Sequence, residues 1–98
     1  MDKNIYLINL YDIYGSLLTK KQQNYFEEYY FDNLSLKEIS ENYNVTRNAI
    51  FNVLKETEEK LEFYEKNLNI YLKNKKIKEL IRDTNLKEEI EKIIEKGW

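Results

Sequence analysis

Ninety-eight residues with 16 basic and 18 acidic side chains, and a formal net charge of −2, describe one small domain. Such a chain buries only roughly 60 to 65% of its unfolded surface, so its core is thin. The absence of cysteine and histidine excludes a disulfide framework, a thiolate metal site and the commonest general base. Catalysis would fall to carboxylates and lysines, so neither an enzyme nor a cofactor, metal or small-molecule substrate is expected.

With no proline and only Gly15 and Gly97 as glycines, nothing interrupts helix over most of the chain, and the expected class is all-α. The opening MDKNIYLINL is broken by Asp2, Lys3, Asn4 and Asn9, unlike a secretory leader. No apolar run reaches the length of a membrane span, so no membrane insertion and a cytoplasmic location are expected.

The first predicted helix has apolar positions at Ile5, Ile8, Tyr11 or Leu10, Tyr14 and Leu17 or Leu18, and ends near Gly15-Ser16. Thr19 and Gln22 have the spacing of a capping box, which opens a second helix from Lys20 to about Phe31. Asp32-Asn33 marks a turn. Ser35 with Glu38 repeats the capping device and starts a short helix through Tyr43, which Asn44 suits to stop.

Thr46 caps a fourth helix, in which Ile50, Leu54, Thr57, Leu61, Tyr64, Leu68 and Tyr71 alternate at spacings of four and three. That stripe reads either as a coiled-coil seam or as the core face of one long helix. Asn67 and Asn69 are placed to end it, leaving a further helix with Ile70, Ile77, Leu80 and Ile81 inward. Asp83-Thr84-Asn85 then caps a last helix with an apolar stripe of Leu86, Ile90, Ile93 and Ile94.

Residues 36–55 meet the demands of a helix-turn-helix in order. Leu36, Ile39 and Tyr43 form an inner face, Ser40 is small where a second helix must cross, and Asn44 suits the turn. Val45 is expected to plug the corner, while Ile50 and Val53 anchor the second helix. The exposed start of that helix would present Thr46, Arg47, Asn48, Phe51, Asn52 and Lys55, residue types that bond base edges or phosphates.

Charge argues in both directions. Lys37, Arg47 and Lys55 are balanced by Glu38, Glu41 and Glu56 within the helix-turn-helix, and Glu58, Glu59, Glu62 and Glu65 follow, which would repel a duplex. One dense basic cluster lies further on, at Lys73, Lys75, Lys76, Lys78 and Arg82 against Glu79, and is the second candidate nucleic-acid contact. Tyr25, Tyr29, Tyr30, Phe26 and Phe31 are read as core rather than as a base-stacking platform. The pairs Glu27-Glu28 and Glu88-Glu89 are read as solvated surface, because adjacent helical residues diverge by about 100°.

The string LLTKKQQNYFEEYYFDNLSLKEIS resembles region 4 of sigma factors, where a Leu-Thr-x-x-Gln helix packs against a Ser-Leu-x-Glu-Ile helix. From Tyr11 through Tyr64, the run YDIYGSLLTKKQQNYFEEYYFDNLSLKEISENYNVTRNAIFNVLKETEEKLEFY is similar to the YlxM family. The likeness runs to about Leu72. Members of that family are small helix-turn-helix proteins of the sigma-region-4 type, encoded beside the gene for Ffh, the signal-recognition-particle GTPase. The resemblance implies a regulatory or accessory role in that protein-targeting pathway, with DNA, the particle's RNA or Ffh as partner.

Residues 1–68 are thus expected to form the sigma-region-4-like domain and residues 69–98 a helical extension. Two other readings stay open, a protein-interaction module that has lost nucleic-acid binding and a regulator of unrelated promoters. A homodimer is also expected, joined through Leu86, Ile90, Ile93 and Ile94 with Leu68 and Leu72, unless the last helix covers that stripe by folding back on the first.

Overall fold

The computed structural model describes residues 2–82 and 87–96. Among them run six α-helices, α1 (Lys3–Tyr14), α2 (Lys20–Tyr30), α3 (Leu36–Tyr43), α4 (Arg47–Leu68), α5 (Ile70–Ile81) and α6 (Lys87–Lys96), with a 3₁₀ turn at Gly15–Leu17. The molecule measures 51 × 25 × 24 Å, and α4 is its spine.

Local chemistry sets most helix ends. Both capping boxes form, Thr19 with Gln22 and Ser35 with Glu38, each side chain taking the other residue's backbone N–H. Asn33, Asn44 and Asn69 all adopt φ between 54° and 56°, the left-handed conformation that asparagine tolerates better than other non-glycine residues. Gly15 answers a different constraint. A Cβ there would stand 3.1 Å from the Tyr11 ring, which is stacked on Phe26 with centroids 4.4 Å apart.

Two apolar clusters are strung along α4. Leu7, Leu10, Tyr14, Leu18, Phe26 and Leu61 unite α1, α2 and the C-terminal half of α4. Tyr25, Ile39, Ile50 and Leu54 unite α2, α3 and its N-terminal half. The heptad-like stripe is therefore the core face of one helix, with Ile50, Leu54, Thr57 and Leu61 buried. Leu68, where a coiled-coil seam would continue, is exposed.

Several inward assignments shift. The buried face of α1 is Leu7, Leu10 and Tyr14, whereas Ile5 is 55% exposed and Leu17 gives way to Leu18. Leu10 and Tyr14 stay inward as expected, and Leu7 takes the place of terminal Ile5. Leu80 is 83% exposed, because the packed face of α5 centres on Ile70, Asn74, Ile77 and Ile81. The Asp83-Thr84-Asn85 cap and Leu86 lie outside the described residues. Tyr25 and Phe26 do belong to the core.

Tyrosine–carboxylate hydrogen bonds cross between helices in four places. Tyr11 donates to Glu27, Tyr43 donates to Glu28, Tyr30 donates to Glu58 at 2.6 Å, and Tyr14 donates to Glu65 at 2.6 Å. Asn42 adds a bond of 3.0 Å to Glu28. Glu27 and Glu28 are therefore joints between helices and not merely solvated surface. Glu65 is only 7% exposed and Tyr14 1%, and the Glu65 carboxylate also accepts the N–H groups of Tyr71 and Leu72 at 3.0 and 3.1 Å. The Tyr14 hydroxyl accepts that of Ile70 at 3.1 Å. One buried pair thus satisfies the first three donors of α5, which would otherwise be orphaned.

These phenols are held neutral. Burial, then the bond to Glu65, pushes Tyr14 up to about 12; the bond to Glu28, then burial, pushes Tyr43 up to about 12. Tyr11 and Tyr30 are raised as well, first by burial. Because folding favours the protonated form, this stabilisation is complete below about pH 10, where unfolded tyrosine ionises, and is lost as pH climbs through the folded values. Melting temperature followed by circular dichroism is expected to fall steeply between about pH 10 and 12, in step with tyrosinate absorbance.

Candidate nucleic-acid interface

The turn between α3 and α4 is built from three residues. Asn44 closes α3 in the left-handed conformation, φ 54° and ψ 47°, and the Val45 N–H returns to the Ser40 carbonyl at 3.0 Å. Thr46 then caps α4 by accepting the Ala49 N–H at 3.0 Å. Ser40 is buried and bonds the Lys37 carbonyl at 2.7 Å, so a small side chain does stand where the helices cross. Val45 does not plug the corner. Its N–H is fixed toward α3, its side chain is 40% exposed, and Leu34, Leu36 and Val53 edge the buried cluster instead. Tyr43 is also partly outside, edge-on to Tyr25 with centroids 4.8 Å apart.

Beyond the cap, Thr46, Arg47, Asn48, Phe51, Asn52 and Lys55 are all exposed. At 100° per residue the side chains from Arg47 to Lys55 occupy about 140° of the helix circumference, and Ile50, Val53, Leu54 and Thr57 fill the opposite side. Five of the six sequence-predicted residues therefore share one surface, and Thr46, also exposed, is the N-cap at its start. Phe51, 50% exposed, is the apolar member of a face otherwise able to donate and accept hydrogen bonds.

Part of the acidic charge that follows is tied inward. Glu38 holds its capping box and is lowered below the usual carboxylate range by the Ser35 backbone bond. Glu56 accepts from Gln22 at 3.1 Å, and Glu58 from Tyr30. With Glu65 buried, the exposed acids of the stretch after the helix-turn-helix are Glu59 and Glu62. They flank a groove of ≈ 530 Å³ beside the recognition face, lined also by Tyr29, Leu36, Phe51 and Lys55. Glu65 was hidden in the sequence by its neighbours. Its signal was an acid four residues beyond Leu61, in register with the inward stripe.

The basic cluster stands apart. Lys73, Lys75, Lys76 and Arg82 are exposed and Lys78 is half-buried on α5, which begins at the far end of α4. Fourteen residues at 1.5 Å each put about 21 Å of helix between Lys55 and Asn69, and the two candidate contact sets line different clefts. Among the described residues no group of three His, Cys, Asp or Glu is placed to hold a metal ion. No helix among them is long and apolar enough to cross a membrane.

Known proteins are similar to this chain in sequence. A family model for UPF0122, helix-turn-helix proteins described as YlxM / p13 like, matches residues 1–97, well past the Leu72 limit of the likeness legible in the sequence. A UPF0122 protein of Halalkalibacterium halodurans is 41% identical over 92 residues, covering 94% of this chain and 83% of its own. One from Oceanobacillus iheyensis is 40% identical over 100 residues, with 95% of each covered. One from Desulforamulus reducens is 48% identical over 86 residues, with 86% of this chain and 74% of its own covered.

The two faces of α4 are separable by neighbouring substitutions. Ile50→Ala is expected to destabilise by about 2 to 4 kcal/mol through a core cavity. Phe51→Ala is expected to change stability by less than about 0.5 kcal/mol. Urea melts of both variants check it, and comparable losses would place Phe51 in the core.

Proposed function

The chain belongs to the UPF0122 family of YlxM / p13-like helix-turn-helix proteins, and on that premise we propose that it is a regulatory protein whose α4 binds nucleic acid. The observation that carries this reading is the uninterrupted exposed face of Arg47, Asn48, Phe51, Asn52 and Lys55 on a capped helix. A B-form major groove admits such a helix, and arginine and asparagine bond purine edges there. Duplex DNA is thus the first partner. A-form RNA has too narrow a major groove, so an RNA would have to offer loops or bulges. The place of action proposed is the signal-recognition-particle pathway, which rests on the YlxM resemblance alone. Residues 1–68 are the binding domain in this reading and 69–98 an extension.

The zero charge sum of the helix-turn-helix favours a second reading, a protein-interaction module with Ffh as its candidate partner. Gel-shift titration across salt separates the two. Nucleic-acid binding is expected to be weak and steeply salt-dependent. Arg47→Ala is expected to weaken sequence-selective binding by about 1 to 3 kcal/mol without lowering the melting temperature. No detectable shift at low ionic strength overturns the first reading in favour of the second.

The extension is further proposed to pair two chains. Leu68, Leu72 and Ile93 are exposed, while Ile90 and Ile94 are half-buried beside α5 and α1, so the stripe is only partly covered within the chain. Twofold closure is the commonest way to bury such a surface. Light scattering at tens of micromolar is expected to give a dimer mass, reduced to a monomer by Leu72→Glu with Ile93→Glu. A monomeric mass for the unaltered chain rules the pairing out.

A further inference from the structure

Helical spacing divides the basic run of α5 into two flanks. Lys75, Lys78 and Arg82 are three and four residues apart and share a face within about 60°. Lys73 and Lys76 lie about 100° or more away around the helix, on the flank that also exposes Leu80. The first three line a cleft of ≈ 430 Å³ together with Asn9 of α1, Tyr71 and Glu79 of α5, and Glu91 of α6. Three elements therefore converge on cations that the sequence presents only as a run.

We propose that this cleft is a phosphate-binding site. Lys75, Lys78 and Arg82 outnumber Glu79 and Glu91, and Asn9 adds a neutral amide donor from a separate helix. An arginine fork with two lysine point charges matches the tetrahedral oxygens of a phosphate, which carries more charge than a carboxylate and competes with Glu91 for them. One side of the cleft is fixed beforehand at Tyr71. Glu65 and Tyr14 already anchor the first turn of α5, and such preorganisation lowers the entropic cost of association. The volume suits several linked phosphates. Two sources share that chemistry, a nucleic-acid backbone and a free polyphosphate or nucleotide. The site does not rest on the recognition-helix reading, since its lining residues belong to neither α3 nor α4.

Two double variants with equal loss of charge test the placement. The intact chain, K75Q/K78Q and K73Q/K76Q are each titrated with inorganic tripolyphosphate by calorimetry and with duplex DNA across salt, after circular dichroism confirms folding. K75Q/K78Q is expected to bind tripolyphosphate about tenfold more weakly, and K73Q/K76Q to bind it as the intact chain does. Glu91→Gln, which removes an opposing charge, is expected to bind it several-fold tighter. If K75Q/K78Q also lowers the salt slope for DNA by about 2, the ligand is a nucleic-acid backbone. If only tripolyphosphate binding suffers, it is a free polyphosphate. Arg47→Ala leaves tripolyphosphate binding unchanged, so failure of the recognition helix is read separately. Should neither ligand distinguish the two double variants, the cleft is no site and the lysines act only through net charge. Where the double variant melts early, Lys75→Gln alone carries the same comparison, because Lys75 is exposed.

Discussion

A buried carboxylate and a buried phenol hold the two ends of this molecule together. Glu65 accepts from Tyr14 and from the backbone of Tyr71 and Leu72, and Tyr14 in turn accepts from Ile70. The first turn of α5 therefore closes on side chains from α4 and α1, and the direction of everything after Asn69 depends on them. An isolated carboxylate in this position would be unfavourable by several kcal/mol. Three donors make it tolerable, and its negative charge sits at the positive end of α5. Removing either partner leaves the other buried without its match, so the pair constrains both the packing of α1 on α4 and the placement of α5.

The same pairing recurs wherever the thin core runs out. Tyr11, Tyr30 and Tyr43 each set a ring into or against an apolar cluster and direct the hydroxyl to a glutamate on another helix. A tyrosine supplies apolar area and a hydrogen bond in one side chain, which suits a domain with few fully buried residues. Glu28 accepts from Asn42 and Tyr43 and Glu58 accepts from Tyr30, and α3 and α4 are held on α2 through them.

Local features of this fold were legible in the sequence because their chemistry is local. Thr19 with Gln22, Ser35 with Glu38, Asn44 and Thr46 all act within four residues, and each helix boundary they predict is found. The shared exposure of Arg47, Asn48, Phe51, Asn52 and Lys55 was legible for the same reason, since a capped helix with Ile50 and Leu54 inward fixes which side faces out. The misjudged residues depend on distant partners. Val45 looked like a plug because the turn and the aliphatic side chain both fit, but Leu34, Leu36 and Val53 fill that space from other segments. Leu80 fits a helical stripe equally well on two faces, and only the crossing of α1 over α5 decides between them. Glu65 was counted as surface charge because nothing nearby in sequence announces Tyr14, fifty-one residues away.

The separation of charge along α4 bears on how binding energy would be distributed. A face whose only charges are Arg47 and Lys55 would release few counterions and so contribute little non-specific affinity. A nucleic-acid partner held by this chain would then draw its affinity from elsewhere, either from a second copy of the recognition helix or from the cations of α5. About 21 Å of helix, fourteen residues at 1.5 Å each, lies between Lys55 and Asn69. A rigid α4, fixed at one end by the helix-turn-helix and at the other by Glu65 and Tyr14, would hold that distance constant. In the proposed reading base contacts and phosphate contacts would fall on different helices, α4 and α5, and the buried pair that orients α5 would govern whether both engage the same partner.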